Sequence, residues 1–252
     1  MTEKLSSSGF EREDNIAKLE QFIQQATEGY RAEKIPVGTN GRIDMSAYKQ
    51  LYPDVENDIA KNRDWDEEWF GNVPSSQMES KRRQMEGEHL EMLAYGVFLK
   101  NLSEDFVVAR ASSYDDRKNK VDTVILDKKT GALICAFDEV GDTSGADYEK
   151  KQELVRDHNL HDGGASLKYG LGVSNEKGKK TVTPSSSMNV PLFYIALPPD
   201  RIQKGMKEFL PGQKDQSEFE KKLFIYFVAT ITAQIEGLEL YSGRLNENLK
   251  KN

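Results

Sequence analysis

A mixed α/β fold, with a central sheet of about five strands flanked by helices and a helical N-terminal extension, is the fold class this 252-residue sequence predicts. Three observations point to it. Apolar residues recur at three- and four-residue steps in the first hundred positions, short β-branched and aromatic runs begin at Phe106, and a long apolar helical segment closes the chain. Helices that bury one stripe and strands that bury one face need each other as packing partners.

The elements follow in order. Ile16, Leu19, Phe22, Ile23 and Ala26 share one face of a first helix, and IPVGTNGR then reads as a turn or loop. Residues 45–70 form one or two short helices broken before Pro53. Pro74 and Ser75–Ser76 open a long helical stretch whose last turns bury Leu90, Leu93, Ala94 and Val97. Five strands are expected from FVVARAS, TVILD, ALICAFDEV, ASLKYGL and VPLFYIALP. DKKTG joins the second and third as a hairpin loop. The helical segment from Gly145 to Asn159 makes a crossover to a parallel fourth strand. A short helix follows Pro198–Pro199, and the segment from Leu223 to Ile235, apolar nearly all round, is expected to be buried in the core or in a homodimer interface. The division is a helical extension over residues 1–80 and an α/β domain over 81–252.

Composition excludes several classes. The single Cys135 rules out an internal disulfide framework and zinc ribbons, and it sits mid-strand as a small hydrophobe. No GxSxG elbow, GxGxxG or GK[ST] motif occurs. The polar start and the lack of an apolar run approaching the roughly 20 residues of a membrane span give a cytoplasmic protein without a membrane partner as the expectation. Net charge is −7, and residues 1–110 hold 21 acidic against 14 basic side chains, so the remainder is neutral and can still carry a local basic groove. Trp65 and Trp69, four apart, are expected to pack from one helix face.

Acidic residues fall at three informative places: Glu88 and Glu91 before the sheet, Asp122 opening the second strand, and Asp138–Glu139 ending the third. Carboxylates are rare in strands because a buried unpaired charge is costly. A hairpin centred near Lys129–Thr130 sets position 122 opposite 137 or 138, which brings Asp122 and Asp138 within reach of one cation. Glu91 borders the apolar stripe of its helix and is preferred over Glu88 as a third oxygen donor. Converging carboxylates suit Mg²⁺ or Mn²⁺, which can activate water and clamp a phosphodiester. Glu139 is a spare ligand or faces outward. Tyr114–Asp115–Asp116 caps a turn or adds further acids.

The order of helix glutamate, Val121–Asp122, an apolar strand ending in Phe137–Val140, then a helix and more strands resembles the PD-(D/E)XK nuclease-like superfamily over roughly residues 85–200. The resemblance implies a restriction-endonuclease-like core, Mg²⁺ or Mn²⁺ on Glu91, Asp122, Asp138 and Glu139, catalysis by Asp122 and Asp138, and DNA as substrate. It also implies a lysine that assists the attacking water. The family position for that lysine holds Val140 here. Lys168 on the ASLKYGL strand is the first candidate to replace it, followed by Lys150 or Lys151. The alternative is a catalytically inactive nuclease-like module for binding or assembly.

Overall fold

The computed structural model describes residues 3–71, 73–176 and 178–249. Eight α-helices, a mixed four-stranded sheet and a two-stranded ribbon are found among them. The helices are α1 (Glu3–Ala32), α2 (Val55–Phe70), α3 (Ser75–Arg83), α4 (Glu86–Leu102), α5 (Ser113–Asn119), α6 (Ala146–His161), α7 (Pro199–Glu208) and α8 (Glu218–Leu249). The strands are β1 (Phe106–Arg110), β2 (Thr123–Asp127), β3 (Leu133–Val140), β4 (Ala165–Glu176), β5 (Lys179–Val190) and β6 (Leu192–Ala196). The long helix expected before the sheet is two helices, α3 and α4, parted at Gln84–Met85.

Sheet order is β1-β2-β3-β6, antiparallel except for the parallel pair β3–β6. The β2–β3 hairpin closes through Asp127, whose Oδ1 accepts the N–H groups of Lys129 (2.6 Å) and Thr130 (3.1 Å). Gly131 takes φ +80° in that turn. Thr123 pairs with Phe137, and the Asp122 N–H donates to the Phe137 carbonyl at 2.7 Å, in line with the register expected from loop length.

The crossover after α6 does not end where the sequence suggested. ASLKYGL lies in β4, which pairs only with β5 and leaves the main sheet. The parallel place beside β3 goes to LFYIA of β6, an unbroken apolar run suited to burial on both faces. β4 interrupts its apolar residues with Lys168, Gly170 and Gly172. It covers an aromatic cluster instead, where Tyr169 meets Tyr48 edge-on at 5.1 Å and Tyr114 at 5.6 Å.

One apolar cluster joins the helices to the sheet. Ile16, Leu19, Phe22 and Ile23 of α1 are buried with Leu90, Leu93 and Val97 of α4. Phe98 stacks on Phe137 of β3 at 5.1 Å. The expected burial of α8 holds for one face only. Leu223 and Phe227 are buried, whereas Ile225 is 66% exposed and Val228, Ile235 and Leu240 also face outward. One face suffices because α8 lies over the sheet with no further layer on top of it. Glu218–Ser242 is also long and apolar enough to cross a membrane, contrary to the reading of the sequence. Trp69 does not pack with Trp65: it is 74% exposed, and Trp65 lies 6.2 Å from Tyr114.

Residues 41–43 run alongside β1. The Arg110 N–H donates to the Gly41 carbonyl (2.8 Å) and the Ile43 N–H to the Arg110 carbonyl (2.9 Å). Gly41 has φ +79°, and a Cβ there would enter the Tyr95 ring. Gly41→Ala combines left-handed strain with overpacking. It is expected to lower stability by about 2–5 kcal/mol in urea unfolding, and a loss below about 1 kcal/mol would show that the segment yields freely.

Candidate metal centre

The site forms where the hairpin, α4 and α6 meet at one end of the sheet. Asp122 is fixed from both sides: its N–H reaches β3, as above, and its carbonyl accepts the Ala111 N–H at 2.7 Å. Its side chain is 6% exposed, and Oδ2 accepts the backbone N–H of Glu139 at 2.7 Å. Strand alternation then separates the two acids that end β3. Glu139 shares the face of Phe137, on which α4 packs, while Asp138 points to α6 and accepts a hydrogen bond from Lys151 Nζ. The same ammonium donates to the Glu139 carbonyl at 2.8 Å. Asp122, at the strand end, adjoins both faces.

Two arginines complete the cluster. Arg110, the last residue of β1, donates to Glu88 and Glu91, both at 2.6 Å. Arg42, carried by the segment beside β1, donates to Glu91 and Asp116, both at 2.8 Å. Glu91, Asp116 and Asp122 each present a carboxylate oxygen within 4.8 Å of the others. Glu91 and Asp116 also line a cleft of about 770 Å³, together with Trp69, Arg82, Arg117 and Lys120. The cluster is therefore reached from solvent at Glu91 and Asp116, with Asp122 behind them.

Charge is unbalanced in this space. Glu88, Glu91, Asp116, Asp122, Asp138 and Glu139 face the three cations Arg42, Arg110 and Lys151. Burial pushes Glu88 up, but Arg110 and Arg42 outweigh it and hold the carboxyl down at about 2. Elsewhere burial wins. Asp122 is raised to about 7 by burial and then by the charges of Glu91 and Asp138. Glu91, Asp116 and Asp138 are raised too, by burial that Arg42 or Lys151 only partly offsets. Glu139, 7% exposed, is pushed well above the usual carboxylate range by burial and then by Asp122. Neither of its carboxylate oxygens has a hydrogen-bond partner among the described residues. Burial works against the Lys151 ammonium, yet Asp138 and Asp122 keep it protonated.

An unpaired buried carboxylate is costly, which gives a test at Glu139. Glu139→Gln is expected to stabilise the metal-free protein, and increasingly so as the pH rises, because burial disfavours only the charged acid. A stability difference from the wild-type chain that is the same at every pH would show that burial of Glu139 carries no electrostatic cost.

Among the residues expected from sequence, Glu91 and Asp122 come within one cation's reach, with Asp116 as the third acid, whereas Asp138 and Glu139 adjoin Asp122 from opposite faces of β3 and lie outside that group. Lys168 does not join them. Its ammonium is bound by Asp58, which also accepts the Tyr169 hydroxyl at 2.7 Å, and it lies 5.2 Å from the Tyr114 ring centre. Its strand left the main sheet with β5, so the amine went with it. Lys150 is exposed on α6. Lys151, the neighbouring candidate, is the amine at the acids. Arg42 and Arg110 were missed: Arg110 reads as the end of a strand, and Arg42 lies in a loop without periodicity. Asp116 was visible only as one acid of a turn.

No family model matches the chain, and no curated protein or solved structure matches it.

Proposed function

We propose that the protein is a metal-dependent phosphodiester hydrolase acting on DNA, built on a restriction-endonuclease-like arrangement of the PD-(D/E)XK kind. The observation that carries the reading is the meeting of Glu91, Asp116 and Asp122, whose carboxylate oxygens lie within 4.8 Å of one another at the back of an open cleft. Mg²⁺ or Mn²⁺ suits this all-oxygen donor set, with Glu139 a further buried acid behind Asp122.

Bound there, such an ion supplies an acidified water and a polarised phosphoryl oxygen. The chain's own groups do the remainder. Asp122 orients the site through its two backbone bonds and the Glu139 N–H. Lys151, kept charged by Asp138, sets a positive group beside the acids, where negative charge grows on the phosphoryl oxygens and on the departing alkoxide. Lys120 lines the approach together with Arg82 and Arg117, both of which pair with Asp66 in the same cleft, and Trp69 offers an exposed ring on which a base can stack.

The test is direct. Calorimetry of Mn²⁺ binding and nicking of supercoiled plasmid with Mg²⁺ or Mn²⁺ should both be positive for the wild-type chain. A second reading, a non-catalytic module for binding or assembly, is favoured by the arginine pairs already on Glu88, Glu91 and Asp116. It predicts no heat at millimolar Mn²⁺ and no nicking, and that pair of results would overturn the hydrolase.

A further inference from the structure

The outward face of α8 has a pattern that its packing on the core does not explain. Leu223 and Phe227 face inward, the Tyr226 hydroxyl donates to the Ala196 carbonyl (2.9 Å), and the Gln234 amide both donates to the Tyr194 carbonyl (2.9 Å) and accepts its N–H (3.0 Å). The opposite side presents Lys221, Ile225, Val228, Thr232, Ile235 and Glu239, all exposed. Their spacing alternates four and three residues. That alternation is the seam of a left-handed coiled coil, and at 100° per residue the six side chains stay within about 40° of one line.

The seam is also complementary to itself when reversed. With two copies antiparallel about an axis level with Thr230, Lys221 of each meets Glu239 of the other, Ile225 meets Ile235, and Val228 meets Thr232. Thr232 suits a central layer because its hydroxyl already donates to the Val228 carbonyl at 2.9 Å, leaving the methyl for the partner. Ala229 beside the seam lets the backbones approach. We infer that α8 is a homodimerisation element, pairing with a second copy of this chain as an antiparallel two-helix coiled coil along Lys221–Glu239.

A lipid bilayer is the competing occupant of an apolar helix face. Insertion across it would take α8 off the sheet, break both Gln234 bonds to Tyr194, and draw Glu236 and Glu239 toward hydrocarbon. A second copy requires none of this and uses the two ends of opposite charge, Lys221 turning from its exposed pair with Glu218 (2.8 Å) to the second copy's acid. The proposal does not depend on the metal centre.

Sedimentation of the full chain from about 1 to 100 µM should show a dimer. Ile225→Glu should make it monomeric, with its circular dichroism unchanged because the side chain is exposed. Lys221→Glu alone and Glu239→Lys alone should each weaken association about tenfold, since symmetry places two like-charge pairs in each dimer. The double variant should recover the wild-type constant. Its failure to recover overturns the antiparallel register. A monomeric wild-type chain at 100 µM overturns the dimer, as does a chain that is monomeric in buffer and floats with phosphatidylcholine–phosphatidylglycerol vesicles through Ile225.

Discussion

Asp122→Asn is expected to abolish the proposed Mn²⁺ binding and plasmid nicking while raising the thermal stability of the metal-free protein at pH 8. Asp122 is the residue on which both faces of the cluster converge, so loss of its charge removes the central oxygen donor; cleavage is expected to fall by 10³-fold or more, about 4 kcal/mol of transition-state stabilisation. Asparagine keeps an oxygen that can accept the Glu139 N–H, so the local hydrogen bond survives. Stability moves the other way for an electrostatic reason. The folded-state pKa of Asp122 is about 7 against an ordinary 3.8, raised first by burial. The neutral acid is therefore favoured by folding: its contribution is fully present below about pH 4 and is lost as the pH rises through 7. The metal-free wild-type chain should melt at a lower temperature at pH 8 than at pH 5, and this difference should shrink in the variant. Mn²⁺ should raise the melting temperature of the wild-type protein more at pH 8, where the carboxylates are charged, than at pH 5. Retained nicking in the variant would remove Asp122 from catalysis, and a melting curve insensitive to pH would remove it from the charge imbalance.

The second large effect is at Lys151. Lys151→Ala should lower the rate of nicking about 10²- to 10³-fold while leaving Mn²⁺ binding measurable, because the oxygen donors remain and only the ammonium beside them is lost. Lys168→Ala should nick at the wild-type rate. Removing Lys151 also leaves Asp138 buried without its partner. The lysine is about one-third exposed, which moderates that cost, and rates belong at a temperature where circular dichroism shows both variants folded. Equal rates for the two variants would end the role of Lys151; a rate loss in Lys168→Ala alone would return the role to β4.

The parts of this arrangement that were legible in the sequence are those set by local rules. A five-residue hairpin link fixed the distance from Asp122 to the end of β3, and the helical angle of Glu91 placed it toward the sheet. What was not legible depends on segments without a period. Arg42 comes from a loop held to β1 by single backbone bonds. β5, with TPSSSMN in it, lacks the β-branched density that marks a strand, so β4 was assigned to the wrong sheet and Lys168 to the wrong neighbours. Lys151 was one of two adjacent helix lysines, and only the angle at which α6 crosses β3 selects between them. The exposed seam of α8 was hidden because an all-round apolar helix reads the same whether the rest of the protein or a second molecule covers it.

The Gly41–Ile43 segment binds the two halves of the chain into one electrostatic unit. Arg42 neutralises acids that lie on α4 and α5, far along the sequence, so a fragment starting after residue 80 would retain every candidate ligand yet lose a principal counter-ion to them. Although residues 81–252 are neutral in total, with 26 acidic and 26 basic side chains, such a fragment would carry more uncompensated negative charge at the centre itself, and dissecting the α/β core from its helical extension would change the centre it was meant to isolate.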